Sequence, residues 1–193
     1  MHQRAGRAFK AVLEGNVDEA IRNEAAWRLA RIFMQKGDAT SALAAIERIK
    51  GRVPDKIKNE ERLLRGQIYL LVGRFPESIK ILRELKSEKG FEGYANYNLG
   101  IALIQSGDEA AGLAELTKAG LLTPDDEATQ AIRDKANLLL GNHLISAGKP
   151  ADAKQYLDRV RLSGPFSNKA LLSSGWADAA EDKFDRALVP WSI

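Results

Sequence analysis

The chain of 193 residues contains no cysteine, which excludes disulfides and thiolate metal sites. Its 29 basic and 26 acidic residues leave a net charge of only +3, spread along the chain, so nucleic-acid binding is not predicted. No apolar run approaches the ~18–20 residues of a membrane span, so direct membrane insertion is not predicted either. The residues are mostly helix formers and only 7% are aromatic, which favours an all-α fold.

A pattern of glycine turns and small residues repeats along the chain. The turns are Gly37-Asp38, Gly73-Arg74, Gly107-Asp108 and Gly148-Lys149, spaced by 36, 34 and 41 residues. Seven residues before and five after each turn, the sequence has a small residue, and nine after it a larger apolar one: Ala30, Ala42 and Ile46; Gly66, Ser78 and Leu82; Gly100, Gly112 and Leu116; Gly141, Ala153 and Leu157. Small residues let two helices approach closely, so each turn predicts a helical hairpin.

In chain order, residues 3–14 have the spacing of a second helix without its first. Gly15-Asn16 then makes a turn, and five hairpin units follow, at about 18–50, 55–88, 91–122, 125–162 and 166–193. We interpret the whole chain, 1–193, as a single domain of stacked hairpins. Both ends carry unfinished apolar faces, which predicts a fragment of a longer array, or ends that pack on another chain.

Two of these units depart from the simple pattern. The wide spacing before Gly148 predicts a longer helix that begins near Asp125-Asp126-Glu127, after Pro124, and runs to about Ala147. Acidic residues suit a helix start, which explains this cluster without a metal ion. In the last unit, Glu181-Asp182 occupies the position where a turn glycine is expected.

The repeat resembles the tetratricopeptide repeat family, a helix–turn–helix unit of ~34 residues. Asn98-Leu99-Gly100, Gly107-Asp108, Lys118-Ala119 and Pro124 match its consensus well, whereas Arg65 and Gly112 depart from it. The resemblance covers nearly the whole chain and implies a right-handed α-solenoid of stacked hairpins.

The resemblance further implies that the first helices of successive units line a concave groove. The groove candidates are Trp27, Arg31, Met34, Gln67, Leu70, Tyr94, Tyr97, Ile101, Ile104, Asn142, Ile145 and Trp176. Leu63, Leu138 and Leu172 share the same register, and packing between repeats is the favoured interpretation for them. Because these positions are mostly apolar, the lysine-based carboxylate clamp of one subset of the family is not predicted. An amphipathic helix or an extended apolar peptide fits the lining better.

No convergent set of catalytic side chains is evident, so neither an enzyme nor a cofactor is predicted. The two histidines, His2 and His143, have no second metal ligand nearby in sequence, and a structural role is favoured for His143.

The predicted function is a non-enzymatic scaffold that binds a protein partner, as a peptide or a helix, in a mostly apolar groove. Flanking repeats of a parent chain are an alternative occupant. The alternative function is assembly of a homo-oligomer or a larger complex through the open ends. The repeat style and the absence of cysteine are typical of bacterial proteins, which slightly favours a periplasmic or cell-envelope location over a cytoplasmic one.

Overall fold

The computed structural model describes residues 2–15, 17–123 and 126–192, and this part of the chain contains helices and no strand. The helices are α1 (His2–Glu14), α2 (Glu19–Gln35), α3 (Ala39–Ile46), a short 3₁₀ helix (Asp55–Ile57), α4 (Lys58–Leu71), α5 (Phe75–Leu85), α6 (Glu92–Gln105), α7 (Glu109–Gly120), α8 (Glu127–Ser146), α9 (Pro150–Leu157), α10 (Ser167–Ala179) and α11 (Phe184–Trp191). Asn16, Pro124 and Asp125, to which the sequence interpretation assigns turn and helix-start roles, lie outside the described residues.

The chain forms two compact units, Met1–Phe91 and Glu92–Ile193. Unit 1 pairs α2 with α3 and α4 with α5, and α1 packs on α2. Unit 2 pairs α6 with α7, α8 with α9 and α10 with α11. Helical hairpins therefore form where the glycine turns predict them, while a single domain over all 193 residues stays a prediction.

The turn inside each hairpin has the same backbone geometry. Gly37 has a φ of +75°, its N–H donates to the Met34 carbonyl, and the Asp38 N–H donates to Phe33. This is the pairing that closes a helix on a left-handed residue. Gly73, Gly107 and Gly148 also have positive φ and repeat both hydrogen bonds with their own neighbours.

The turn of the last hairpin makes the same bonds without glycine. Asp182 has a φ of +59°, its N–H donates to the Ala179 carbonyl, and the Lys183 N–H donates to Asp178. Asp182 therefore occupies the left-handed conformation that glycine adopts in the other four turns. That conformation costs an L-residue about 1 kcal/mol or more.

We expect Asp182→Gly to raise the free energy of unfolding by about 0.5–1 kcal/mol, because glycine adopts this φ without strain. Thermal denaturation followed by circular dichroism measures the change. The matched control is Asp185→Gly, at an exposed position inside α11, where glycine should instead destabilise by up to ~1 kcal/mol. A melting temperature lowered by Asp182→Gly would contradict this explanation of the turn.

The columns of small and large residues bring the two helices of each hairpin into close contact. A Cβ built at Gly66 would lie 2.9 Å from Leu82 Cδ2, and one at Gly141 would lie 2.6 Å from Leu157 Cγ. Leu82 and Leu157 are buried. In the last hairpin the small residue is Gly175, and the large residue that packs directly against it is Trp191.

The long helix expected near residue 125 is present as α8, which runs from Glu127 to Ser146. Asp126 caps it, and its carboxylate accepts a hydrogen bond of 2.8 Å from the Thr129 N–H. That backbone bond lowers the pKa of the Asp126 carboxyl below its ordinary value. The acidic start of the helix is thus explained by capping, as the sequence indicates.

Candidate functional site

In unit 1, α2 lies beside α4, and the connection after α3 is held in place by a buried amide. Asn23 Nδ2 donates to the carbonyls of Lys50, at 2.7 Å, and Arg52, at 3.1 Å. The Lys50 N–H donates back to Asn23 Oδ1 at 3.2 Å. This buried side chain therefore ties α2 to the segment that leads into α4, and so helps to fix the position of α4.

A cleft of about 240 Å³ opens between these two first helices. It is lined by Trp27, Arg31, Glu60, Leu63, Leu64 and Gln67. Three of the predicted groove residues, Trp27, Arg31 and Gln67, therefore meet at one surface. Their convergence makes this cleft the site in unit 1 that best matches the predicted groove residues.

Trp27 forms the wall of this cleft rather than an exposed anchor. The residue is only 6% exposed. The Arg31 guanidinium lies 4.8 Å from its ring centroid and that of Arg28 lies 5.7 Å away. Trp27 thus contributes a flat apolar surface with two cations beside it, and Arg31, which is exposed, presents the charge to solvent.

The two arginines differ in their ion pairs. Arg28 pairs with Glu24 at 2.6 Å, and Glu24 also pairs with Lys56 at 2.7 Å. The hydrogen bond from Lys56, and after it the one from Arg28, lowers the pKa of the Glu24 carboxyl. No ion pair involves Arg31 in the part of the chain that the structure describes.

The remaining groove candidates of unit 1 offer less surface than the sequence predicts. Leu70 is buried at 8% exposure, and Met34 is half-buried against the core of α2 and α3. The prediction that Leu70 lines the groove with an exposed side chain is therefore wrong, because this side chain is part of the core.

In unit 2, Tyr97 is also buried, although the sequence predicts an exposed aromatic side chain there. Its exposure is 7%, since it packs in the core of α6, α7 and α8, and the Lys135 ammonium lies 4.9 Å from its ring centroid. Tyr94, Ile101 and Ile104 of the same helix are half-buried. Any contact with a partner on α6 therefore comes from the half-buried residues rather than from Tyr97.

The other unit 2 candidates divide between surface and core. Asn142 is exposed, and Ile145 is half-buried against the core of α8 and α9. Leu138 is buried, as the packing interpretation predicts. Leu172 and Trp176 of α10 are 53% and 56% exposed, so packing as the role of Leu172 is wrong, because its side chain remains more than half exposed.

The last hairpin carries a large exposed apolar surface, in keeping with the unfinished apolar face that the sequence predicts at this end. Its exposed apolar residues are Leu172, Trp176, Phe184, Leu188, Val189 and Trp191. The rings of Trp176 and Trp191 meet edge to face with centroids 5.4 Å apart. The sequence places the α11 residues on a helix but does not show that α10 and α11 leave so many of them exposed. We call this set the terminal apolar face.

Outside the cleft, His143 joins two helices of unit 2. His143 Nε2 lies 3.0 Å from Glu109 Oε1, which links α8 to the start of α7. Within the described ranges, no group of three or more histidines and carboxylates could hold a metal ion. In the same ranges, no helix has the length and hydropathy that crossing a bilayer requires.

Known proteins share this arrangement of helical hairpins. The tetratricopeptide repeat model matches residues 2–57 and 138–191. A crystal structure of the MamA protein superposes with a TM-score of 0.60 at 20% identity, covering 88% of each chain. YrrB, described as a TPR protein with an unusual peptide-binding site, gives 0.58 at 19% identity over 97% of this chain and 90% of its own. The TPR-like repeats of a putative kinesin light chain from Podosopora anserina give 0.66 at 14% identity, over 92% and 94%.

The fold is that of a helical repeat protein, a class that generally serves protein–protein interaction. The chain belongs to the tetratricopeptide repeat family, since the family model covers more than half of its residues. The predicted fold class, an all-α solenoid of TPR-like hairpins, is confirmed by the structural neighbours. No curated protein sequence matches the chain.

Proposed function

We propose that this chain is a non-catalytic interaction module that binds a segment of a partner protein, as a peptide or a helix, on the first helices of its hairpins. The observation that carries the proposal is the α2–α4 cleft, where Trp27, Arg31 and Gln67 converge. A groove between first helices suits an extended or helical segment. YrrB, which has the same fold, is described as having a peptide-binding site, and this supports the same use of the fold here.

The cleft has the composition of a recognition site. Leu63 and Leu64 supply apolar area, and Arg31 supplies a donor with fixed geometry. Burying apolar area contributes roughly 25 cal/mol per Å² before the cost of ordering the ligand is subtracted. Arginine and tryptophan are also the residues most enriched among the strong contacts of interfaces.

Photocrosslinking tests the proposal because it captures whichever protein occupies the cleft. A benzophenone amino acid replaces Gln67 in the cleft, and we expect it to give a discrete crosslinked protein in the native host. The matched control carries the same group at Arg48, an exposed residue outside the cleft, where no discrete product is expected. Equal labelling at both positions, or none at Gln67, would refute the α2–α4 cleft as the binding site.

The terminal apolar face favours a second candidate function, assembly through the α10–α11 hairpin. Six large apolar residues exposed on two short helices form the kind of patch that marks an association surface. Light scattering over a range of protein concentrations tests this candidate. We expect the mean mass to rise with concentration and Leu188→Asp to abolish the rise, whereas a constant monomer mass in the unchanged protein would eliminate assembly.

The proposal includes the absence of catalysis and of a cofactor. The tetratricopeptide repeat fold supports this part of the proposal, because it generally serves protein interaction. A periplasmic or cell-envelope location remains a proposal as well. Fractionation of the native host, with detection of the chain by antibody, tests the location.

A further inference from the structure

Contrary to what the small total suggests, the charge is not spread evenly along the chain, because the two compact units carry net charges of opposite sign. Residues 1–91 contain 19 basic and 12 acidic residues, a net charge of +7, while residues 92–193 contain 10 basic and 14 acidic residues, a net charge of −4. Opposite charge steers a partner toward a surface and selects its composition. A segment that binds unit 1 therefore gains from carrying negative charge.

Within unit 1, Arg31 lines two clefts. Arg31 lines the α2–α4 cleft together with Leu63 and Leu64. It also lines a second cleft of about 150 Å³ between α1 and α2, together with Phe9 and Ile32. Arg31 therefore borders apolar side chains in both clefts, and the α1–α2 cleft is also lined by Arg28 and Gln35.

The other charged side chains beside these clefts restrict where a carboxylate of the ligand can bind. Arg28, which lines the α1–α2 cleft, is paired with Glu24, whereas Arg31 has no ion pair within the described ranges. Glu60 lines the α4 side of the α2–α4 cleft, where it repels a second carboxylate. The position best suited to a ligand carboxylate is therefore beside Arg31, with apolar side chains on either side.

We propose that unit 1 recognises a peptide segment in which one acidic residue is flanked by apolar residues. Its carboxylate pairs with the Arg31 guanidinium, and its apolar side chains enter the α2–α4 and α1–α2 clefts. This inference rests on the proposed function and specifies the chemistry of the partner. The Trp27 ring stacked beneath Arg31 holds the guanidinium in place and leaves its donors for the ligand.

Selection from a random peptide library displayed on phage tests this proposal with the whole chain. We expect the enriched peptides to contain aspartate or glutamate between apolar residues. Arg31→Glu should reverse this preference toward lysine or arginine. For a selected acidic peptide, fluorescence anisotropy should show that Arg31→Glu weakens binding about tenfold or more.

The matched control is Arg48→Glu, which changes the net charge by the same amount as Arg31→Glu. Arg48 is exposed and lies outside both clefts. Its replacement should therefore leave the affinity for the peptide within about twofold of that of the unchanged protein. Circular dichroism establishes that Arg31→Glu keeps its helices. Enriched peptides without an acidic residue, or an unchanged preference in Arg31→Glu, would overturn the inference and leave the proposed cleft standing. Failure to enrich any peptide would overturn it too, and crosslinking at Gln67 then decides the proposed function separately.

Discussion

Replacing Gly112 with alanine is expected to destabilise the protein by about 1–3 kcal/mol, although alanine is the better helix former by about 1 kcal/mol. A Cβ at this position would lie 2.6 Å from the Gly100 carbonyl oxygen and 2.9 Å from the Ile104 backbone nitrogen. Because backbone atoms obstruct the new methyl group, no side-chain rotation can relieve the clash. The helices α6 and α7 must separate, and their shared packing is then lost.

Thermal and urea denaturation measure this loss, and Gly6→Ala is the matched control. Gly6 lies inside α1, where, among the described side chains, a new Cβ would meet only Leu29 Cδ1, at 4.0 Å. The same substitution should therefore stabilise α1 by up to about 1 kcal/mol. A Gly112→Ala protein as stable as the unchanged chain would show that α6 and α7 do not pack as closely as described.

The second large effect is expected at Asp134, whose side chain is fully buried at 0% exposure. Its carboxylate accepts from Arg161 Nε at 2.7 Å and from Arg133 Nη2 at 3.0 Å. Arg161 also donates to the Gln130 side chain, so Asp134 anchors a network that joins α8 to the segment after α9. Asp134→Ala removes the carboxylate and leaves Arg161 a partly buried charge without its counterion.

Removing one partner of a buried ion pair lowers the free energy of unfolding by about 3–5 kcal/mol. Both arginines are partly exposed, so we expect a loss of about 3 kcal/mol here. Chemical denaturation measures it, with Asp158→Ala, at an exposed position after α9, as the control that should change stability by less than about 0.5 kcal/mol. The double variant Asp134→Leu with Arg161→Met should recover part of the loss, because it removes the Arg161 charge and leaves only Arg133, which is partly exposed to water, without its counterion. Equal stability of Asp134→Ala and the unchanged protein would mean that the network contributes nothing.

Much of the fold could be predicted because its signals are local and repeated. The turn glycines and the spacing of small residues such as Gly66 and Gly141 depend on contacts within one hairpin, and these recur at each copy. The last hairpin departs from this pattern at its turn. There Asp182 adopts the left-handed conformation that the sequence pattern assigns to glycine, whereas Trp191 occupies the expected position of the large apolar residue.

The site was harder to predict than the fold because exposure depends on neighbouring hairpins. The helical register places Trp27 and Tyr97 on the groove side, yet both are buried, one beneath Arg31 and the other beneath Lys135. Lys135 comes from the next hairpin, so no local pattern around Tyr97 could reveal it. The terminal apolar face could be predicted only in outline, as an unfinished apolar end, because which of its residues are exposed depends on how α10 and α11 pack on each other.

The central claim is that a partner segment binds on the first helices of unit 1. Amide hydrogen exchange, measured by mass spectrometry with and without a bound peptide, tests this claim most directly. We expect slower exchange in α2 and α4, with α3 and α5 unchanged, because the first helices line the cleft. Protection confined to α3 and α5, or to unit 2, would contradict the claim.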